Sequence, residues 1–218
     1  MDSAPPVVPA LTVPVSPVSD PGPSAAFAAL VERVAACRRC PSMDGRRRIL
    51  GPQNGPLDAP VLFVAEAPGR FGADVTGVPL SGDRAGRTFE WLLTRAGLRR
   101  AEVFITNAVL CNPRDDRGRN RTPSRVEVAR CRDYLQAQID LVRAPVIVPL
   151  GRTALAALAR IEPHGLTLRE AVGRPHRWRG RILVPLYHPG DRALRHRPLW
   201  CQERDYQELG RLVRSLNR

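Results

Sequence analysis

PVLFVAEAPG, residues 60–69, places five apolar residues in a row, Val61 to Ala65, and then turns at once through Glu-Ala-Pro-Gly. So short an apolar run, closed by a turn, reads as a strand buried on both faces. On its carboxyl side AGRTFEWLLTRAG reads as a helix and EVFITNAVL as a second strand, followed by a polar loop, NPRDDRGRNR, expected to be exposed. TPSRVEVARCRDYLQAQIDLVR is a long helix, with Thr122 placed to cap it and Pro123 at its first position. APVIVPLG is a third strand, RTALAALARI a helix, GRILVPLYHPG a fourth strand and PLWCQERDYQELGRLVRSL a closing helix. Upstream, SAAFAALVERVAACRRC is helical. Strands alternating with helices predict a three-layer α/β/α domain on a central four-stranded, mainly parallel sheet. Ligands of such sheets bind beyond the carboxyl ends of the strands. Three of those ends carry reactive side chains: Glu66 after the first strand, Asn107 in the second and His188 after the fourth.

The 218 residues suffice for one domain, assigned to residues 25–218. Residues 1–24 hold seven prolines and no helical or strand period, which predicts a disordered tail. That stretch lacks the basic start and unbroken apolar segment of a signal peptide. No apolar run approaches the roughly 18 residues of a membrane span. A cytoplasmic, nucleoid-associated monomer with no membrane partner is expected. Net charge is +13, and every one of the 34 Lys+Arg residues is Arg. Without lysine, Schiff-base chemistry is confined to the N-terminal amine. The excess of forked, planar cations points to a polyanionic partner, foremost nucleic acid. Between Arg169 and Arg218 twelve Arg stand against five acids. Arg192, Arg195 and Arg197 directly follow the His-Pro-Gly turn, where they would meet the phosphates of such a partner.

The five cysteines form an odd set that argues against a disulfide framework. Cys37 and Cys40 make a CxxC pair, Cys111 ends a strand and Cys131 sits in the next helix. Cys131 also shares a helical stripe with Val128, Leu135, Ile139 and Val142, so a buried free thiol is its competing reading. Four thiolates suit zinc or a [4Fe-4S] cluster, and ligand count does not separate the two. Cys201, beside Trp200, is assigned to core packing.

CRRC, VLFVAEAPGRFGADVTGVPLSGDRAG, VFITNAVLCNPR, CRDYLQAQI, VIVPLG and LVPLYHP, in this order and at these distances, resemble the uracil-DNA glycosylase superfamily in its iron-sulfur branches, families 4 and 5. The resemblance runs from about Cys37 to Tyr206. It implies a four-stranded parallel sheet and a [4Fe-4S] cluster on Cys37, Cys40, Cys111 and Cys131, with zinc as the alternative. Glu66 in EAPG and Asn107 in TNAV resemble family 4, whereas GADVTGVPLSGDRAG resembles family 5. Where family 4 carries an aromatic residue in GxPF, this chain reads GVPL, with Leu80 covering the base. Asp83 matches an acidic position to which family 5 members assign a role; it also suits a helix cap.

The implied reaction is removal of uracil from DNA by hydrolysis of the N-glycosidic bond, in base excision repair, with the base flipped out of the duplex. Breaking that bond leaves a cationic sugar and an anionic base. His188 can donate to the oxyanion of the base, Asn107 can pair with its polar edge, and Glu66 can orient or deprotonate the attacking water. Glu66 ranks ahead of Asp83 as the catalytic acid residue. Ala67, Pro68 and Gly69 form the turn that brings backbone to the ligand. Two other readings stand beside this one: excision of other deaminated bases such as hypoxanthine or xanthine, and a cluster-stabilised nucleic-acid-binding protein without catalysis.

Overall fold

The structure, a computed structural model, describes residues 22–216. The tail expected over residues 1–24 lies outside them except for its last three residues, and Pro23 and Ser24 already belong to the first helix. In chain order the elements are α1 (Pro23–Ala35), β1 (Val61–Ala65), α2 (Ala73–Thr76), α3 (Arg84–Ala96), β2 (Phe104–Asn107), α4 (Arg125–Val142) and β3 (Val146–Pro149). They continue with α5 (Arg152–Ala159), α6 (Leu168–Ala171), β4 (His176–Trp178), β5 (Arg181–Leu183), α7 (Asp191–Leu194) and α8 (Leu199–Leu216).

The sheet runs β2-β1-β3-β5-β4, parallel except for β4, which pairs antiparallel with β5. β1, the middle strand of the fully parallel trio, is buried along its whole length, and its alternate residues divide the core. Leu62 and Val64 pack under α1, α4 and α5, whereas Val61, Phe63 and Ala65 pack under α3 and α8. Phe63 meets the ring of Phe89 edge-on at 5.2 Å and stacks against Tyr206 at 6.2 Å, geometries that suit the ring quadrupoles. This is the expected three-layer arrangement, with five strands rather than four.

The additional strand is β4. It has only three residues, of which Trp178 alone is buried, so it carries no apolar period that a sequence pattern would register. Its two-residue turn to β5 uses Arg179 and Gly180, both at positive φ (49° and 69°), the conformation that matches strand twist in a hairpin. In GRILVPLYHPG only Arg181–Leu183 forms a regular strand. Beyond it the chain still runs beside β3, through Val184 N–H to Ile147 O and Leu186 N–H to Pro149 O.

Two helix ends differ from expectation. α1 stops at Ala35, so Cys37 and Cys40 lie in the irregular chain ahead of a 3₁₀ turn at Pro41–Met43. α4 begins at Arg125 and is capped by Ser124, not Thr122. Ser124 Oγ accepts from Glu127 N–H while Glu127 Oε2 accepts from Ser124 N–H, at 3.2 and 2.7 Å. This reciprocal box satisfies two donors where a single cap would satisfy one.

Candidate active site

The carboxyl ends of the parallel strands open into one cavity of about 480 Å³, within the range of pre-formed ligand pockets. Glu66, Ala67, Pro68, Gly69, Leu80, Asp83, Asn107, His188 and Arg192 all line it. Residues far apart in sequence converge because β1 and β2 pair in register with Ala65 opposite Asn107. β3 then places the path leading to His188 on the other side of β1.

His188 is set as a hydrogen-bond donor. Its Nδ1 accepts from Gly190 N–H at 3.0 Å, which leaves the ring proton of a neutral imidazole on Nε2. Burial pushes its pKa down to about 4, against a smaller upward pull from Asp83, so the ring is neutral near pH 7. Gly190 is required by close approach: a Cβ there would lie 2.9 Å from His188 Nδ1.

Asn107 is 2 % exposed and its Nδ2 has no hydrogen-bond partner within the protein. A buried amide donor without a partner is costly unless a ligand completes it. Glu66 stands across the cavity, its Oε2 accepting from Thr153 Oγ1 at 2.5 Å. Asp83 caps α3 by accepting from Gly86 N–H at 2.9 Å, and its second oxygen packs against Gly69 and Gly72. Its carboxylate thus serves the helix while facing the cavity. Gly69 is small chiefly to admit that carboxylate, since a Cβ there would lie 2.9 Å from Asp83 Oδ2.

Several lining residues escape the sequence reading. Thr153 and Arg152 follow β3, the one parallel strand whose end shows no obvious reactive residue in sequence. The loop expected to be exposed is so at Asp116, Arg117, Arg119 and Asn120, but its base folds back against the cavity. Asn112 Nδ2 donates to Pro68 O (2.6 Å) and Asn120 Oδ1 (3.0 Å), and Asn120 Oδ1 also accepts from Arg70 N–H. Arg114 pairs at 2.6 Å with Asp74, which is 8 % exposed. Asn112, Asn120, Arg121 and Thr122 therefore form a cavity wall. The available signal was Asn112 directly before Pro113, a pair suited to a fixed turn.

The three arginines after the His-Pro-Gly turn separate. Arg192 is exposed at the cavity rim and Arg195 is exposed beside it. Arg197 is instead committed to the fold. It makes two 2.5 Å hydrogen bonds to Asp205 of α8, whose side chain is 7 % exposed. Cys201 is only half-buried, and neither hydrophobic core cluster includes it.

Cys37, Cys40, Cys111 and Cys131 line a second, small cavity on the α1–α4 side, with Arg38, Arg39 and Arg48 around it. Cys131 is buried in the apolar stripe and also lines this cavity. Burial first, and then the proximity of the other thiols, pushes Cys111 up to about 12; burial pushes Cys131 up to about 11. Among the described residues no three Cys, His, Asp or Glu side chains converge on a single-ion site. No helix among them is long and apolar enough to cross a membrane.

The chain has clear relatives. The type-4 uracil-DNA glycosylase of Thermotoga maritima is 38% identical over 159 residues, covering 72% of this chain and 78% of that protein. The type-4 uracil-DNA glycosylase of Archaeoglobus fulgidus is 33% identical over 190 residues, 84% and 91% of the two chains. The type-5 uracil-DNA glycosylase of Thermus thermophilus is 31% identical over 159 residues, 60% and 68%. With residues 52–210 matching the family model, the strand-end cavity belongs to a member of the uracil DNA glycosylase superfamily.

Proposed function

We propose that the protein hydrolyses the N-glycosidic bond of uracil in DNA and leaves an intact strand with an abasic site. The observation that carries this is the convergence, in one cavity, of the Glu66 carboxylate, the unpartnered Asn107 amide and a neutral His188 with its proton on Nε2. A base flipped into the cavity would meet Asn107 with its polar edge and His188 with a carbonyl oxygen. As the bond breaks, the base leaves with the electron pair, and the His188 N–H meets the growing negative charge. Water adds to the sugar carbon and Glu66 takes its proton. Asp83 holds the turn and adds negative charge near the cationic sugar. The lack of lysine leaves no side-chain amine to open the sugar and cut the strand. Arg192 and Arg195 meet phosphates as the protein acts, as a monomer, on its DNA.

We assign the four cysteines to a [4Fe-4S] cluster, with zinc as the alternative: they line one cavity, and four thiolates are a donor set that such a cluster takes. When bound, that group would cross-link the chain after α1, the bend that follows β2 and α4, since Cys111 lies four residues past the last strand residue, Asn107, instead of ending the strand; no step of the hydrolysis runs through it.

Turnover of a uracil-containing oligonucleotide, single- and double-stranded, tests the reading. The expected product is a strand cut only after hot alkali. Absence of base release from iron-loaded protein, or cleavage without alkali that survives blocking of the N-terminal amine, overturns it. Hypoxanthine and xanthine in the same series test whether Leu80, which lacks a flat ring, admits other deaminated bases.

A further inference from the structure

Leu80 lines the base cavity while its side chain also packs against the core beneath α3 and α8. Its backbone lies in the left-handed region at φ 46°, which is strained for a residue with a γ-branched side chain. Such a conformation persists only where the surroundings over-determine it. Here three contacts do so. Arg100, in the 3₁₀ turn Arg100–Glu102 ahead of β2, donates through Nη1 to Leu80 O at 3.3 Å and through Nη2 to Pro79 O. Glu90 of α3 orients that guanidinium, accepting from Nη1 at 2.6 Å. Gly86, in the first turn of α3, lets the same segment press against the helix; a Cβ there would lie 2.8 Å from Leu80 O and 2.9 Å from Ser81 Cα.

Arg100 does not itself line the cavity. We propose that it is a positioning residue for base recognition, its fork gripping two successive carbonyls so that Leu80 is held against the face of the flipped base. A flat ring covers a base by its own area; a leucine covers it only if its backbone is fixed. The planar, two-donor fork suits adjacent carbonyls in a way that a lysine ammonium does not. The proposal rests on reading the cavity as the uracil pocket.

The test compares wild type with Arg100→Met, Arg100→Lys, Leu80→Gly and the Arg100→Met/Leu80→Gly double variant, all iron-loaded. Substrates are uracil and thymine oligonucleotides in single turnover. Arg100→Met should raise the substrate concentration for half-maximal rate by about tenfold with the saturating rate within about twofold, the pattern of a lost binding contact. Its preference for uracil over thymine should fall by a similar factor, and Arg100→Lys should lie between. Backbone order parameters of Leu80 and Ser81 should drop from about 0.85 toward 0.6 or below in Arg100→Met while those of β1 stay high. In the Leu80→Gly background, Arg100→Met should add less than about a twofold change, because the two residues act as one unit. Additive losses in the two backgrounds, or order parameters unchanged at Leu80, overturn the proposal. If wild type releases no uracil, the functional reading fails, and the order parameters still decide whether Arg100 is the clamp.

Discussion

At His188 the backbone decides the chemistry. Gly190 N–H occupies Nδ1 and burial holds the ring pKa near 4, so the imidazole donates as a neutral group. His188→Ala should slow single turnover by about 10²- to 10³-fold. The wild-type rate should pass through pH 6.5 without a step attributable to this residue, and the acid limb due to His188 should appear only near pH 4. The linkage has a definite sign. Because the folded pKa lies below the ordinary 6.5, the unfolded chain takes up the proton first, and this contribution to stability is complete above pH 6.5 and lost as pH falls toward 4. A rate profile with a pKa near 6.5 that disappears in His188→Ala would contradict the neutral-donor assignment. Glu66 and Thr153 make a second unit. Glu66→Gln should cost about 10²- to 10⁴-fold if the carboxylate takes the proton of water. Thr153→Val should cost part of that and Thr153→Ser should restore it. Asp83→Asn preserves a good helix cap and should cost less than Glu66→Gln; the reverse ranking would move the chemistry to Asp83.

Among the elements, α4 shows how a capping pair becomes part of a site. Glu127 closes the box with Ser124, accepts from Ser42 Oγ and binds both terminal nitrogens of Arg121, at 2.6 and 2.7 Å. Arg121 and Thr122 stand in the cavity wall just ahead of this helix. The Arg121 hydrogen bonds, ahead of the backbone and Ser42 contacts, hold the Glu127 carboxyl down at about 2 despite its burial. Its contribution to stability is therefore present above the ordinary carboxylate range near 4.5 and lost as pH falls toward 2. Glu127→Gln should flatten that part of the acid-denaturation curve and lower stability at pH 7 by about 1–3 kcal/mol, measured by urea unfolding. An unchanged curve would show that the box contributes only locally to the helix end.

Across the molecule, charge divides into surface available to DNA and ion pairs committed to the fold. Arg192→Ala and Arg195→Ala should each reduce the dependence of log affinity on log salt by about 0.9 for duplex DNA, across sequences. Arg197→Ala should leave that slope unchanged and destabilise the protein by roughly 3 kcal/mol, since it strands a buried carboxylate at Asp205. A changed salt slope in Arg197→Ala with normal melting would return that residue to the DNA-binding surface.

The layer architecture and the gathering of the candidate residues in one cavity were legible in the sequence because they depend on local pattern: the apolar run at Val61–Ala65, the helical stripe from Val128 to Val142, and reactive side chains placed at or just past strand ends. A parallel sheet brings such ends together whatever the intervening chain contains, so Glu66, Asn107 and His188 could be gathered from order alone. What pattern could not supply was partner choice. Arg197 reads like its neighbours until Asp205 comes to face it from α8. The Asn112–Asn120 loop keeps its exposed tip, but its role as a wall appears only when its amides meet Pro68 and Arg70, and Leu80 reads as a simple replacement for an aromatic ring until Arg100 is seen to hold its backbone. Loop closure and the strained φ depend on groups twenty to fifty residues away in the chain, and the pairing of Arg197, though Asp205 is only eight residues on, depends on how α8 packs. Those distances collapse only when the core forms, and so only the tertiary structure decides which arginine is free, which loop is a wall and which turn is clamped.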